Sequence, residues 1–173
     1  MLERDPDLLA HLEGCDESPF EGAVHRVVWA DRSPVQGSSG ARGRWSSPDS
    51  QFEVLNTSFI PEGASAEFEA FWSLFEQRPD RPVLNWKLRV RLKRAVELDF
   101  GALETLRVAQ SEYSGRKYAR TQEISDAVNY LGYDGLIVPC ARYECSNLII
   151  YIQNLAGDCV VEEDESEVFE WSS

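Results

Sequence analysis

At 173 residues and 43% hydrophobic, the chain is long enough to bury one substantial core without help from disulfides or metals. Its 30 acidic residues against 17 basic ones give a formal net charge of -13, which repels a phosphate backbone over most of the surface and argues against nucleic acid as a direct ligand. No segment approaches the ~20 consecutive apolar residues of a membrane span, and the charged start "MLERDPDLLAHLEGCDESP" lacks the basic head and apolar run of a secretory signal, so a soluble cytoplasmic protein is expected.

Residues 1–19 read as a helical or irregular lead-in ending at Pro19. "AVHRVVWA" (23–30) is the first predicted strand, and the Ser-, Gly- and Pro-rich "DRSPVQGSSGARG" (31–43) is a loop, long for a compact domain. "FEVLNTSF" (52–59) is a second strand. "GASAEFEAFWSLFEQR" (63–78) is an amphipathic helix, with Phe68, Phe71, Trp72 and Phe75 at i, i+3, i+4 and i+7. Ser65 is its predicted N-cap, which puts Glu67 in the first turn, and Pro79 and Pro82 end it.

"NWKLRVRLKRAVELD" (85–99) alternates Trp86, Leu88, Val90 and Leu92 with Lys87, Arg89, Arg91 and Lys93, the period of a strand with one apolar and one basic face. A short helical piece around "GALETLRVA" follows. "TQEISDAVNYLGY" (121–133) is a helix capped by Thr121, and "GLIVP" and "NLIIYI" are closing strands. The ending "GDCVVEEDESEVFEWSS" reads as a solvated, partly disordered acidic tail. The sharper alternative is that it docks across the basic face of 85–99. With no repeat or linker, the organisation expected is a lead-in (1–19), one domain (20–156) and a tail (157–173).

Cys15, Cys140, Cys145 and Cys159 form no CxxC pair, and His11 and His25 lie far from them in sequence, so no metal site is expected. The candidates for chemistry are polar residues at strand and loop ends. Arg26 sits in an apolar strand, where a guanidinium is costly to bury unless it meets an anion. Arg44 precedes Trp45, a pairing suited to a phosphate beside a flat ring. Glu67 is a carboxylate on a rigid helix. Together they suggest a nucleotide whose sugar develops positive charge. Each also has an ordinary structural reading, as a sheet-edge arginine, a loop arginine and a helix-dipole carboxylate. Cys140, at the mouth of a strand–turn–strand unit, is a candidate nucleophile if Arg142 or His25 activates it.

The succession "HRVVW", "GARGRWSS", "EVLNTS", "ASAEFEAF", "ARTQEISDAVNYLGYDGLIVPCAR" and "NLIIYI", from about Phe20 to Ile152, resembles the RES-domain family, typically the toxins of Xre–RES toxin–antitoxin pairs. The resemblance implies an α+β fold like that of ADP-ribosyltransferases, a mixed, largely antiparallel β core with flanking helices. It implies NAD+ as substrate, cleaved between nicotinamide and ribose by phosphorolysis, hydrolysis or ADP-ribosyl transfer. It implies an Xre-type antitoxin as partner and leaves a homodimer open. The family's arginine falls on Arg26 or Arg44, its glutamate on Glu67, and its serine on Cys140, since "PCAR" stands where the family has a Pro-Ser-Ala-Arg run. Trp45 would pack on a ring or, equally, belong to the core. Asn56 in "VLNTS" stands where the family carries tyrosine. The alternative is an attenuated module of the same fold that binds nucleotide or protein.

Overall fold

The structure, a computed structural model, describes residues 3–40 and 43–172; Ala41 and Arg42 of the predicted loop, Met1 and Leu2 of the lead-in and Ser173 of the tail lie outside them. The order is α1 (Pro6–Glu13), β1 (Glu17–Trp29), β2 (Val54–Ser58), α2 (Pro61–Trp72), β3 (Val83–Glu97), α3 (Phe100–Thr105), α4 (Ala119–Tyr130), β4 (Gly135–Pro139), β5 (Ser146–Tyr151) and β6 (Val160–Val168). This is the α+β class the sequence predicts, with a mostly antiparallel sheet.

The strands run β1-β2-β5-β4-β3-β6, and β1 also pairs with β3, so the first five close a ring of pairings. Among the described strands, only β3 and β4 run parallel. The alternating pattern of β3 is borne out. Leu88, Val90 and Leu92 face inward with Val24, Leu55, Leu148 and Ile150. The uninterrupted apolar run of β5 has a different cause: both of its faces are buried. Leu148 and Ile150 join the ring interior, while Ile149 and Tyr151 pack with Leu12, Ile124 and Val128 of the helices on the other side.

Several boundaries differ from expectation for local reasons. The lead-in holds a true helix, α1, with Asp5 accepting from the Asp7 N–H at 2.9 Å, and β1 begins at Glu17 because its long partner β3 continues to pair with it there. Helix α2 starts at Pro61, where proline's fixed φ favours the first turn and no N–H is lost. Ser65 is therefore not its cap, and its hydroxyl accepts from the Asn85 side chain. Glu67 sits in mid-helix, and α2 ends at Trp72. Thr121 lies inside α4 and donates to the Arg44 and Tyr118 carbonyls.

The largest correction concerns the tail. Segment 160–168 is not a solvated end but an antiparallel strand on β3, with pairs from Leu84↔Val168 to Arg91↔Val160. It lies beside β3 rather than across its face. Basic residues of β3 meet its carboxylates: Lys87 reaches Asp164 at 3.7 Å and Glu165 at 3.9 Å, and Arg89 pairs with Glu162, while Lys93 pairs with Asp158 just before the strand. Beyond the strand, Phe169 and Trp171 pack on Phe68 of α2, at ring-centroid distances of 5.1 and 5.5 Å. The tail thereby holds α2 against the ends of β1 and β3.

Two glycines fix the approach of elements around the site. A Cβ at Gly63 would lie 2.5 Å from Cys145 Sγ, so only glycine lets the first turn of α2 close on the β4–β5 hairpin. Gly132, at φ 86°, reverses the chain between α4 and β4.

Candidate functional site

β1 and β2 share a single pair, His25↔Ser58. The next residues along each strand, Arg26 and Val27 opposite Thr57 and Asn56, do not pair, and all four line a cleft of about 240 Å³. The split between the strands is the floor of this cleft. Helix α2 supplies one wall, and the segment joining α3 to α4 supplies the other.

Glu67 projects from α2 into the cleft. Its Oε1 accepts from Cys140 Sγ at 3.2 Å and from Asn147 Nδ2 at 3.3 Å. Asn147 Oδ1 accepts in turn from the Ser58 hydroxyl at 2.7 Å. A relay from β2 through β5 thus fixes one carboxylate oxygen. Both donors use Oε1, so Oε2 takes neither of these bonds.

Cys140 is 7% exposed, set behind a wall formed by Pro139, Ala141 and Arg142. Its N–H donates to Cys145 O at 2.9 Å, which locks the hairpin end. Burial first, and the Glu67 charge second, push its thiol up to about 12. The Arg142 guanidinium does not activate it, since Nη1 donates to Ser114 O at 2.6 Å. Nor does His25, because the thiol's hydrogen bond goes to Glu67. Cys140 is a neutral donor that orients a carboxylate, not an activated nucleophile. Iodoacetamide labelling of Cys140, judged against a Cys140→Ser control, should therefore stay minimal through pH 9; ready labelling near neutrality would overturn this assignment. The same shift destabilises the fold in alkali. The unfolded thiol ionises near 9 and the folded one near 12, so stability falls as pH rises through that window.

Arg26 lies in the cleft floor with Nη1 donating to the Pro34 and Gln36 carbonyls at 3.2 and 3.0 Å. Burial lowers its guanidinium to about 10, still charged at neutral pH. Arg44 is clasped between the Tyr113 and Tyr118 rings, 5.0 and 4.8 Å from their centroids, and donates to Gly115 O. Trp45 is 3% exposed and belongs to the core, with one edge on the cleft. Asn56 is exposed on the cleft floor. The structure therefore brings every predicted site residue to the cleft or directly behind it.

Sequence reasoning missed Tyr113, Arg116, Tyr118 and Asn147. The signal for the first three was present in "YSGRKYAR" (113–120), a basic, aromatic stretch around a glycine in an otherwise acidic chain. Asn147 carried no local signal, since its role arises from a contact 80 residues away.

The architecture is that of a mixed α+β domain with a cleft opening from a split in its sheet. It is similar to a chain of the Mycobacterium tuberculosis MbcT–MbcA toxin–antitoxin complex, with a TM-score of 0.78 at 16% identity over 95% of this chain and 93% of that one. At that identity the likeness establishes the fold. The RES domain model matches residues 21–172, and the chain belongs to the RES domain family. None of the curated proteins matches it in sequence.

Proposed function

We propose that this chain is a RES-type, toxin-like enzyme that breaks the nicotinamide–ribose bond of NAD+. One observation carries the reading: a fixed carboxylate, Glu67, faces a cleft lined by Arg26, Arg44, Arg116 and Arg142, none of which has a carboxylate within 4.0 Å among the described residues. Outside the cleft, Arg4, Arg94 and Arg120 are paired with acids. Unpaired guanidiniums in a chain of charge -13 suit a ligand that brings its own phosphates.

In this mechanism the guanidiniums hold the pyrophosphate and orient the ribose. The C1′–N bond breaks and its electron pair leaves with nicotinamide, giving an oxocarbenium-like ribosyl centre. Glu67 stabilises that charge through Oε2, while Cys140 and Asn147 hold Oε1. Phosphate, water or a protein side chain then bonds to C1′ and gives up its proton. Tyr113 and Tyr118 fix the Arg44 guanidinium between their rings.

The partner proposed is an antitoxin protein, in line with the complex in which the structural neighbour is found. The test of the reading is nicotinamide release from NAD+ by the unchanged chain and by Cys140→Ser. A serine hydroxyl is a better donor to Glu67 than a buried thiol, so release should be kept or raised. Loss of all activity in Cys140→Ser would instead indicate a thiol nucleophile. An absence of release from both would favour a non-catalytic module that binds nucleotide or protein, with Asn56 as the departure to examine first.

A further inference from the structure

Cys140 does not stand alone at the end of the β4–β5 hairpin. The register of the two strands runs to Pro139↔Ser146, and its next step puts Cys140 directly opposite Cys145. The Cys140 N–H donates to the Cys145 carbonyl at 2.9 Å. Directly opposed residues of an antiparallel pair carry their side chains on the same face. Here that face is turned toward α2. Cys140 Sγ donates to Glu67 Oε1 at 3.2 Å, and Cys145 Sγ packs on Gly63, one turn earlier in the helix. The two thiols lie within hydrogen-bonding reach of one another. The other two cysteines are placed elsewhere, Cys15 donating to the His11 carbonyl and Cys159 to Asp134.

The opposed partners differ in access: Cys140 is buried and Cys145 is partly exposed, and both are free thiols. Residues opposed in a hydrogen-bonded antiparallel pair stand roughly 5.5 Å apart at Cα, inside the ~4.4–6.8 Å span of a disulfide. A bridge across the loop 141–144 would close a very short ring and constrain the unfolded chain little, so its main consequence is not added stability. The consequence falls on Glu67. A bridged sulphur has no proton to donate, and of the two donors to Oε1 only Asn147 would remain.

We infer that Cys140 and Cys145 form a reversible redox pair, closed by low-molecular-weight disulfides, whose oxidation withdraws the S–H donor from Glu67. Cys145 is the entry thiol. Its thiolate bonds to one sulphur of the oxidant and expels the other as a thiolate, leaving a mixed disulfide. Cys140 then passes its proton to Glu67 Oε1, bonds to the Cys145 sulphur and expels the second thiolate. Two protein thiols are oxidised, the oxidant disulfide is reduced to two thiols, and the released protons end on those thiols. Because its target is held beside it, a buried and protonated Cys140 resolves the mixed disulfide even though it resists reagents from solution. The pair itself is independent of the cleavage chemistry, and only its effect on nicotinamide release rests on that reading.

The test incubates the full chain with oxidised glutathione, alkylates the remaining thiols in denaturant and maps the tryptic peptides without reduction. Trypsin cuts after Arg142, between the two cysteines, so the bridge appears as two peptides joined into one. The joined species should form in the unchanged chain, be absent from Cys145→Ser and be reopened by dithiothreitol, with Cys15 and Cys159 alkylated throughout. Nicotinamide release from NAD+ should fall about tenfold in the oxidised chain, as for a lost hydrogen bond to a charged group, and recover on reduction. Release by Cys145→Ser should not respond to glutathione. Alkylation of both Cys140 and Cys145 after oxidation, or glutathione retained on Cys145 with no bridge, overturns the pair. A bridge that forms and leaves release unchanged overturns its control of Glu67. If the reduced chain releases no nicotinamide, the enzyme reading falls, and the peptide map still decides the pair.

Discussion

Glu67→Gln is expected to lower nicotinamide release from NAD+ by at least about 100-fold with no loss of fold. The expectation follows from how the side chain is held. Cys140 and Asn147 both donate to Oε1, and an amide oxygen accepts the same two bonds. The ground-state geometry therefore survives the substitution. What disappears is the negative charge beside a sugar that becomes positive only as the bond breaks, so the loss falls on kcat more than on KM. A single-turnover assay at saturating NAD+, beside a melting curve, separates the two effects. A variant that is folded and retains wild-type kcat would remove Glu67 from the mechanism.

Phe169→Ala is the second large effect, expected to cost about 3 kcal/mol or more of stability. Phe169 is 8% exposed, in a cluster with Val27, Ala64 and Val83, and stands edge-on to Phe68. Phe68 directly follows Glu67 on α2, so the lost packing reaches the site and should reduce activity as well. Truncation after Gly157 removes β6 and this cluster together and should leave the chain unable to fold stably. The ion pairs of β6 matter far less. Lys87 and its partners are substantially exposed, and each such pair contributes only ~0.2–1 kcal/mol. Urea denaturation of Phe169→Ala and Lys87→Ala, with and without high salt, distinguishes packing from charge. Equal stability of Phe169→Ala and the unchanged chain would show that the tail only rests on α2.

The contrast explains why some of this fold is legible in sequence and some is not. β3 announces itself because its own residues alternate, and α4 because its apolar residues share a face. β6 does not, because "VVEEDESEV" is apolar only at its ends. Its carboxylates become tolerable only beside the lysines and arginines of β3, some 70 residues earlier. The start of α2 was readable from Pro61 at the first helical position, a stronger mark than Ser65.

At the site, the short motifs bring Arg26, Arg44, Glu67 and Asn56 to one cleft and Cys140 directly behind it, since they fall on elements that the fold gathers. What the thiol does there was not readable. Its protonation is set by burial and by a carboxylate 73 residues away. The relay through Asn147 and the convergence of Arg116 and Arg142 are likewise products of the fold, not of local pattern.

The most direct test of the central claim is a proton NMR time course of NAD+ with protein near equimolar concentration, with and without inorganic phosphate. Cleavage of the nicotinamide–ribose bond predicts free nicotinamide appearing as the anomeric proton signal of the nicotinamide riboside is lost, with the phosphate dependence naming the acceptor. NAD+ that persists unchanged, or that splits at the pyrophosphate into two mononucleotides, would contradict the account.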